Sequence, residues 1–103
     1  MTTLKLTVPD TVDRIQLQKE IIGGLADRLR DDHGYELEEA GAGASGPSTR
    51  MVRTLRPQGS IVVDTNGAIK VSLRRVDVDA RDLFIAVISE LEQRYEGIRA
   101  ELD

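Results

Sequence analysis

Apolar and polar residues take turns at the start of the chain. Leu4, Leu6 and Val8 alternate with Lys5 and Thr7, the period of a half-buried strand. Pro9-Asp10 punctuates it, and Asp10 or Thr11 then suits a helix N-cap, with Asp13 adding negative charge to the first turn. Val12, Ile15, Ile22, Leu25, Ala26 and Leu29 share one helical face, which Ile21 widens. Leu17 lies off that stripe and reads as a partner contact or a scattered surface residue. Asp31-Asp32-His33-Gly34 ends the helix, with Gly34 as a left-handed cap. Each member of the Gly23-Gly24 pair costs about 0.5–1 kcal/mol relative to alanine inside a helix. The pair therefore predicts a kink or the close approach of another backbone.

Tyr35 and Leu37 alternate with Glu36 and Glu38, a short polar strand suited to a sheet edge. Residues 40–49, rich in Gly, Ala and Ser, have nothing to pack and read as a flexible connector. Met51 to Arg56 is a weaker strand, closed by the Arg56-Pro57-Gln58-Gly59 turn. Ser60 to Val76 predicts a β-hairpin around Asn66-Gly67. A two-residue loop would pair Val63 with Lys70 and mix apolar with polar side chains on one face. A three-residue loop, Thr65-Asn66-Gly67, pairs Asp64 with Ala68 and Val63 with Ile69, bringing Ile61, Val63, Ile69, Val71 and Leu73 together. It predicts a type I turn with a bulge at Gly67.

Asp79 caps a last helix that Asp82 supports from its first turn. Phe84, Val87, Ile88, Leu91, Tyr95, Ile98 and Leu102 form an apolar stripe close to a heptad pattern, about five turns long at 3.6 residues per turn. The expected order is β-α-β-β-β-β-α, one or two of the middle strands being weak. It describes an α+β domain: a mostly antiparallel sheet of four to five strands with both helices on one face.

Composition narrows the chemistry. A chain of 103 residues suits a single domain over 1–103, and with 3% aromatics its core must be aliphatic. The scarcity of rings disfavours base or sugar stacking. There is no cysteine, so no disulfide, thiolate nucleophile or Cys-based zinc site, and a lone His33 cannot build a multi-histidine centre. Met1 to Pro9 lacks a basic region followed by an apolar run, and no apolar stretch approaches the ~20 residues of a membrane span. The expected location is cytoplasmic, with no membrane partner.

Gly41-Ala42-Gly43-Ala44-Ser45-Gly46 is a literal G-x-G-x-x-G, but a Glu-rich strand precedes it and Pro47 follows. A pyrophosphate site needs a buried strand before the glycines and a helix after them. No cofactor is expected. Asp31, Asp32 and His33 form one polar cluster, and Asp77, Asp79 and Asp82 another; neither has the spacing of a calcium loop, and helix capping accounts for both. Glu36, Glu38 and Glu39 have nothing to bury them, and serines 45, 48, 60, 72 and 89 lack a nucleophile-elbow setting, so no catalytic or metal residue is assigned.

Charge is segregated along the chain. Residues 1–49 carry a net −4, residues 50–75 six basic groups against one acid, and residues 76–103 a net −5. The expectation is a non-enzymatic cytosolic protein-interaction module: an adaptor, chaperone-like, immunity or regulatory protein. Arg53, Arg56, Arg74 and Arg75 would bind a protein partner electrostatically. Tyr95, Ile98 and Leu102 would mediate self-association as a homodimer. The alternative is a nucleic-acid-binding domain using the basic central strands. A third reading is a small enzyme whose site forms between subunits around His33 and nearby carboxylates.

Overall fold

The computed structural model describes residues 2–38, 50–65 and 67–102. Along the chain run β1 (Thr3–Thr7), α1 (Arg14–His33), β2 (Glu36–Leu37), β3 (Arg50–Arg56), β4 (Ser60–Asp64), β5 (Ile69–Arg74), α2 (Ala80–Arg94) and β6 (Arg99–Leu102). The strands form one sheet in the order β2-β3-β4-β5-β1-β6, antiparallel at every pairing. The α+β class stands as expected, with six strands rather than four to five. The 40–49 connector and its Gly-rich string lie outside the described residues, as does Asn66.

Both helices cover one face of the sheet. Leu4, Leu6, Ile61, Val63, Ile69, Val71 and Leu73 point into that layer and meet Leu17, Ile21, Leu25 and Leu29 of α1 and Phe84, Val87 and Leu91 of α2 in one core. The other face presents Lys5, Thr7, Val52, Thr54, Lys70 and Arg74 to solvent. The hairpin pairs Val63 with Val71 and Ile61 with Leu73, two residues away from the expected Val63–Ile69 register. A slip of two preserves every facing, because the side-chain period is two. The turn is therefore wider than three residues. The Arg14 guanidinium, at the start of α1, reaches across to the carbonyls of Thr65 and Gly67, and Gly67 is left-handed (φ 81°).

The first helix begins later than expected. Its N-cap is Asp13, whose carboxylate accepts from the backbone N–H groups of Ile15 (3.0 Å) and Gln16 (3.3 Å). Gly34 is the left-handed C-cap (φ 73°). The helix is also rotated relative to the expected stripe: Leu17 is fully buried, while Ile15 is 67% exposed. At about 100° per residue, both lie about 80° from Leu25, on opposite sides. The packing of α2 decides between them. Val87 lies 3.6 Å from where a Cβ on Gly24 would stand, Arg28 pairs with Glu90 at 2.5 Å, and Glu20 takes Arg94 (3.4 Å) and the Tyr95 hydroxyl. All of these residues lie on the Leu17 side. A Cβ on Gly24 would meet the Val87 side chain at ordinary contact distance, and one on Gly23 would meet nothing within 4 Å, so the expected close approach of another backbone is not found at either glycine.

The last helix stops at Arg94 rather than continuing to Leu102. Tyr95 is its C-cap in an extended conformation, and Gly97 (φ 82°) turns the chain against Pro9. Residues 99–102 then run as β6 beside β1, pairing Leu6 with Ala100 and Leu4 with Leu102. Tyr95, Ile98 and Leu102 are therefore not a free helical stripe: all three are half-buried against the core. The Glu20 carboxylate that takes the Tyr95 hydroxyl raises that tyrosine's pKa.

Two expected outcomes follow from the helix pair. Urea unfolding should show Leu17→Ala losing about 2–5 kcal/mol, and Ile15→Ala no more than about 0.5 kcal/mol. The Arg28 hydrogen bond and charge hold the Glu90 carboxyl below its ordinary pKa. A depressed carboxyl stabilises the fold above its unfolded pKa, and that contribution fades as pH falls through the folded value. Wild type should therefore melt above Glu90→Gln at pH 7, and the two curves should converge below about pH 4, the ordinary glutamate range.

Candidate functional site

Two helices do not cover this sheet. Six strands at about 4.8 Å spacing span about 24 Å between the outer axes, and two helices about 10 Å wide cover roughly 20 Å. With α2 against one flank of α1, no described residue covers the other flank above β2 and β3. The result is a groove of about 300 Å³ lined by Ile15, Gln18, Lys19, Ile22 and Gly23 of α1, Leu37 of β2 and Arg53 of β3. Its walls are largely aliphatic, and its two charged residues are both cations. The volume lies at the low end of the roughly 300–1,000 Å³ of ligand clefts.

Arg53 is in this groove because of strand parity. It pairs with Ile61, and Leu55, two residues on, pairs with Leu37; both neighbours face the helical layer. An arginine thus occupies a position where the strand pattern calls for an aliphatic residue. Its Nε–H is buried and has no hydrogen-bond partner among the described residues. Its side chain makes no ion pair among the described residues. A buried donor left unmet costs about 1–3 kcal/mol.

The other arginines expected to bind a partner do not join Arg53 in one strip. Arg56 faces the opposite side of β3 and is held by Glu38 at 2.8 Å, an exposed pair of the kind that contributes little to stability. Arg74 ends β5, and Arg75 follows it in the left-handed region (φ 55°); both are exposed, and neither side chain has a partner among the described residues. Gly59 explains their fixed position. A Cβ there would stand 2.7 Å from the Arg74 carbonyl oxygen and 2.9 Å from that of Arg75, so the β3–β4 turn packs directly on this backbone. Sequence reasoning picked these arginines as cations. It missed Ile15, Gly23 and Leu37, although the phase of Arg53 with Leu55 was a readable sign that this arginine faces inward.

The two acidic clusters do converge. Where the end of α1 meets the start of α2, Arg28, Asp32, His33, Asp79, Asp82, Leu83 and Ala86 line a polar hollow of about 210 Å³. Its components already have work in the fold: Asp79 caps α2 through the Arg81 N–H at 3.1 Å, and Arg28 is bound to Glu90 and to the Gly24 carbonyl. Asp77 stands apart, its backbone N–H donating to the Tyr35 hydroxyl at 3.1 Å. Among the described residues no three acidic or histidine side chains are arranged to hold a metal ion, and no helix is long and apolar enough to cross a membrane.

No protein-family model matches the chain, and neither does any curated protein or solved structure. The geometry of its own residues therefore bears the whole functional reading. Arg53→Met keeps the hydrocarbon length and removes the unmet donor. Chemical denaturation should show the variant as stable as wild type or more stable, by about 1 kcal/mol. A marked loss would make Arg53 a structural residue instead.

Proposed function

We propose that this chain is a small non-catalytic protein-interaction module, of the adaptor, chaperone-like, immunity or regulatory kind. The observation that carries the reading is the display of Arg74 and Arg75. Two adjacent cations have no counter-ion among the described residues, their backbone packs against the Gly59 turn, and the second adopts a conformation that costs an ordinary residue about 1–2 kcal/mol. Strain of this kind persists where the surroundings enforce it, and it concentrates at binding sites and switches. Charges so presented steer a complementary acidic surface into register. Self-association belongs to the same reading. Its route is the open side of β6, an edge strand whose one neighbour in the sheet is β1.

The direct test is affinity purification from the native source, with mass spectrometry of co-eluting proteins and absorbance before and after nuclease. A stoichiometric protein lost on the double change Arg74→Glu, Arg75→Glu, with the melting temperature retained, is the expected result. A nuclease-sensitive 260 nm signal would transfer the arginines to nucleic-acid binding, with affinity falling steeply as salt rises. Arg75→Gly should raise stability by about 1 kcal/mol through relief of the left-handed strain while weakening the partner.

A further inference from the structure

We propose that the groove between α1 and β3 takes a peptide segment of a partner protein in which an aliphatic side chain stands beside an aspartate or glutamate. The proposal rests on the protein-interaction reading and names a second contact surface for it. The aliphatic half follows from the walls. Ile15, Ile22, Leu37 and the bare backbone of Gly23 leave an apolar hollow whose rim carries one of the three large hydrophobic residues exposed among the described residues, Ile15.

The acidic half follows from charge complementarity. Among the described residues the groove's charged lining is Arg53 and Lys19, with no acid beside them. Neither side chain has an ion-pair or hydrogen-bond partner among the described residues, and the Arg53 Nε–H is withdrawn from solvent. A carboxylate entering the groove beside the Arg53 guanidinium would gain a charge-assisted hydrogen bond in a partly water-excluded setting, where such bonds are strongest. The fold meanwhile leaves the arginine uncompensated at a core-facing position. An apolar residue there would pack without that cost, as expected of a residue kept for recognition rather than stability.

Gly23 supplies the discriminating variant. A Cβ added to it meets nothing within 4 Å, so a larger side chain enters the groove without displacing the core. Leucine is also the better helix former. Gly23→Leu should therefore fold at least as well as wild type while filling the site.

The experiment selects a randomised twelve-residue peptide display library on the wild-type chain. The strongest binder is then titrated by fluorescence anisotropy into wild type, Gly23→Leu and Arg53→Met. The expected result is enrichment of peptides pairing Leu, Ile or Val with Asp or Glu. Binding should be lost in Gly23→Leu, whose melting temperature is unchanged or raised. Arg53→Met should weaken it about tenfold or more, the loss of one charge-assisted hydrogen bond. The proposal is overturned by no enrichment, by enriched peptides free of acidic residues, or by undiminished binding to Gly23→Leu. It is equally overturned if Gly23→Leu abolishes self-association of the purified chain, because the occupant is then a second copy. If the native partner is retained by Gly23→Leu but lost on reversing Arg74 and Arg75, the groove proposal fails while the broader interaction reading stands.

Discussion

The architecture turns on a mismatch of widths. A six-stranded antiparallel sheet has more core-facing surface than two helices can shield, and the chain meets the shortfall at one side rather than sharing it. The second helix packs against the Leu17 flank of the first, where Val87 lies over Gly24 and where Glu20 and Arg28 find Arg94 and Glu90. The contact fixes the rotation of α1, burying Leu17 and leaving Ile15 in the open. It also leaves the end of the sheet at β2 and β3 half roofed. The groove is a consequence of where the helices had to go.

The same constraint explains what could be read in the sequence. Strand facings were legible because alternation survives a slip of two residues. The hairpin's inward set stayed right although its register moved. Gly34 and Asp79 were legible as caps because each satisfies an end group through local chemistry alone. The phase of α1 was not. Ile15 and Leu17 sit symmetrically about the stripe, and the choice between them is made by a helix some 70 residues away in sequence. The tail was misread for a related reason. Ile98 and Leu102 are four apart, a spacing that fits both a helical face and alternate positions of a strand, and Gly97 resolves the ambiguity in favour of the strand.

Charge told less as a total than as a set of separate fates. The basic stretch 50–75 suggests one strip when read linearly, yet the sheet sends its arginines to three different surroundings. Arg56 is answered by Glu38 just past the neighbouring strand, Arg74 and Arg75 are held out from the end of β5, and Arg53 is folded beneath α1. Exposed pairs such as the first contribute little, and the rest have no internal partner among the described residues. Linear segregation of charge is thus a guide to where unmatched cations occur, but pairing and parity decide which of them remain unmatched.

A folding sequence is expected to be consistent at every level, from propensity and pattern to packing and polar satisfaction. This chain is consistent over most of its length: the core is continuous and aliphatic but for Phe84 and Tyr35, and both helices carry a capping aspartate. Besides the singly exposed Val52 and Ile85, its departures among the described residues gather in two places. One is the left-handed Arg75 with its neighbour Arg74. The other is the groove, where a helix-interior glycine, an exposed isoleucine and an arginine on an inward strand position meet. Each departure lowers stability in isolation, and random drift would scatter such costs across the surface. Gly23, Ile15 and Arg53 come from different elements and converge on one hollow whose shape and charge agree with each other. That agreement favours recognition over accident, because a merely tolerated defect has no reason to be complementary to anything.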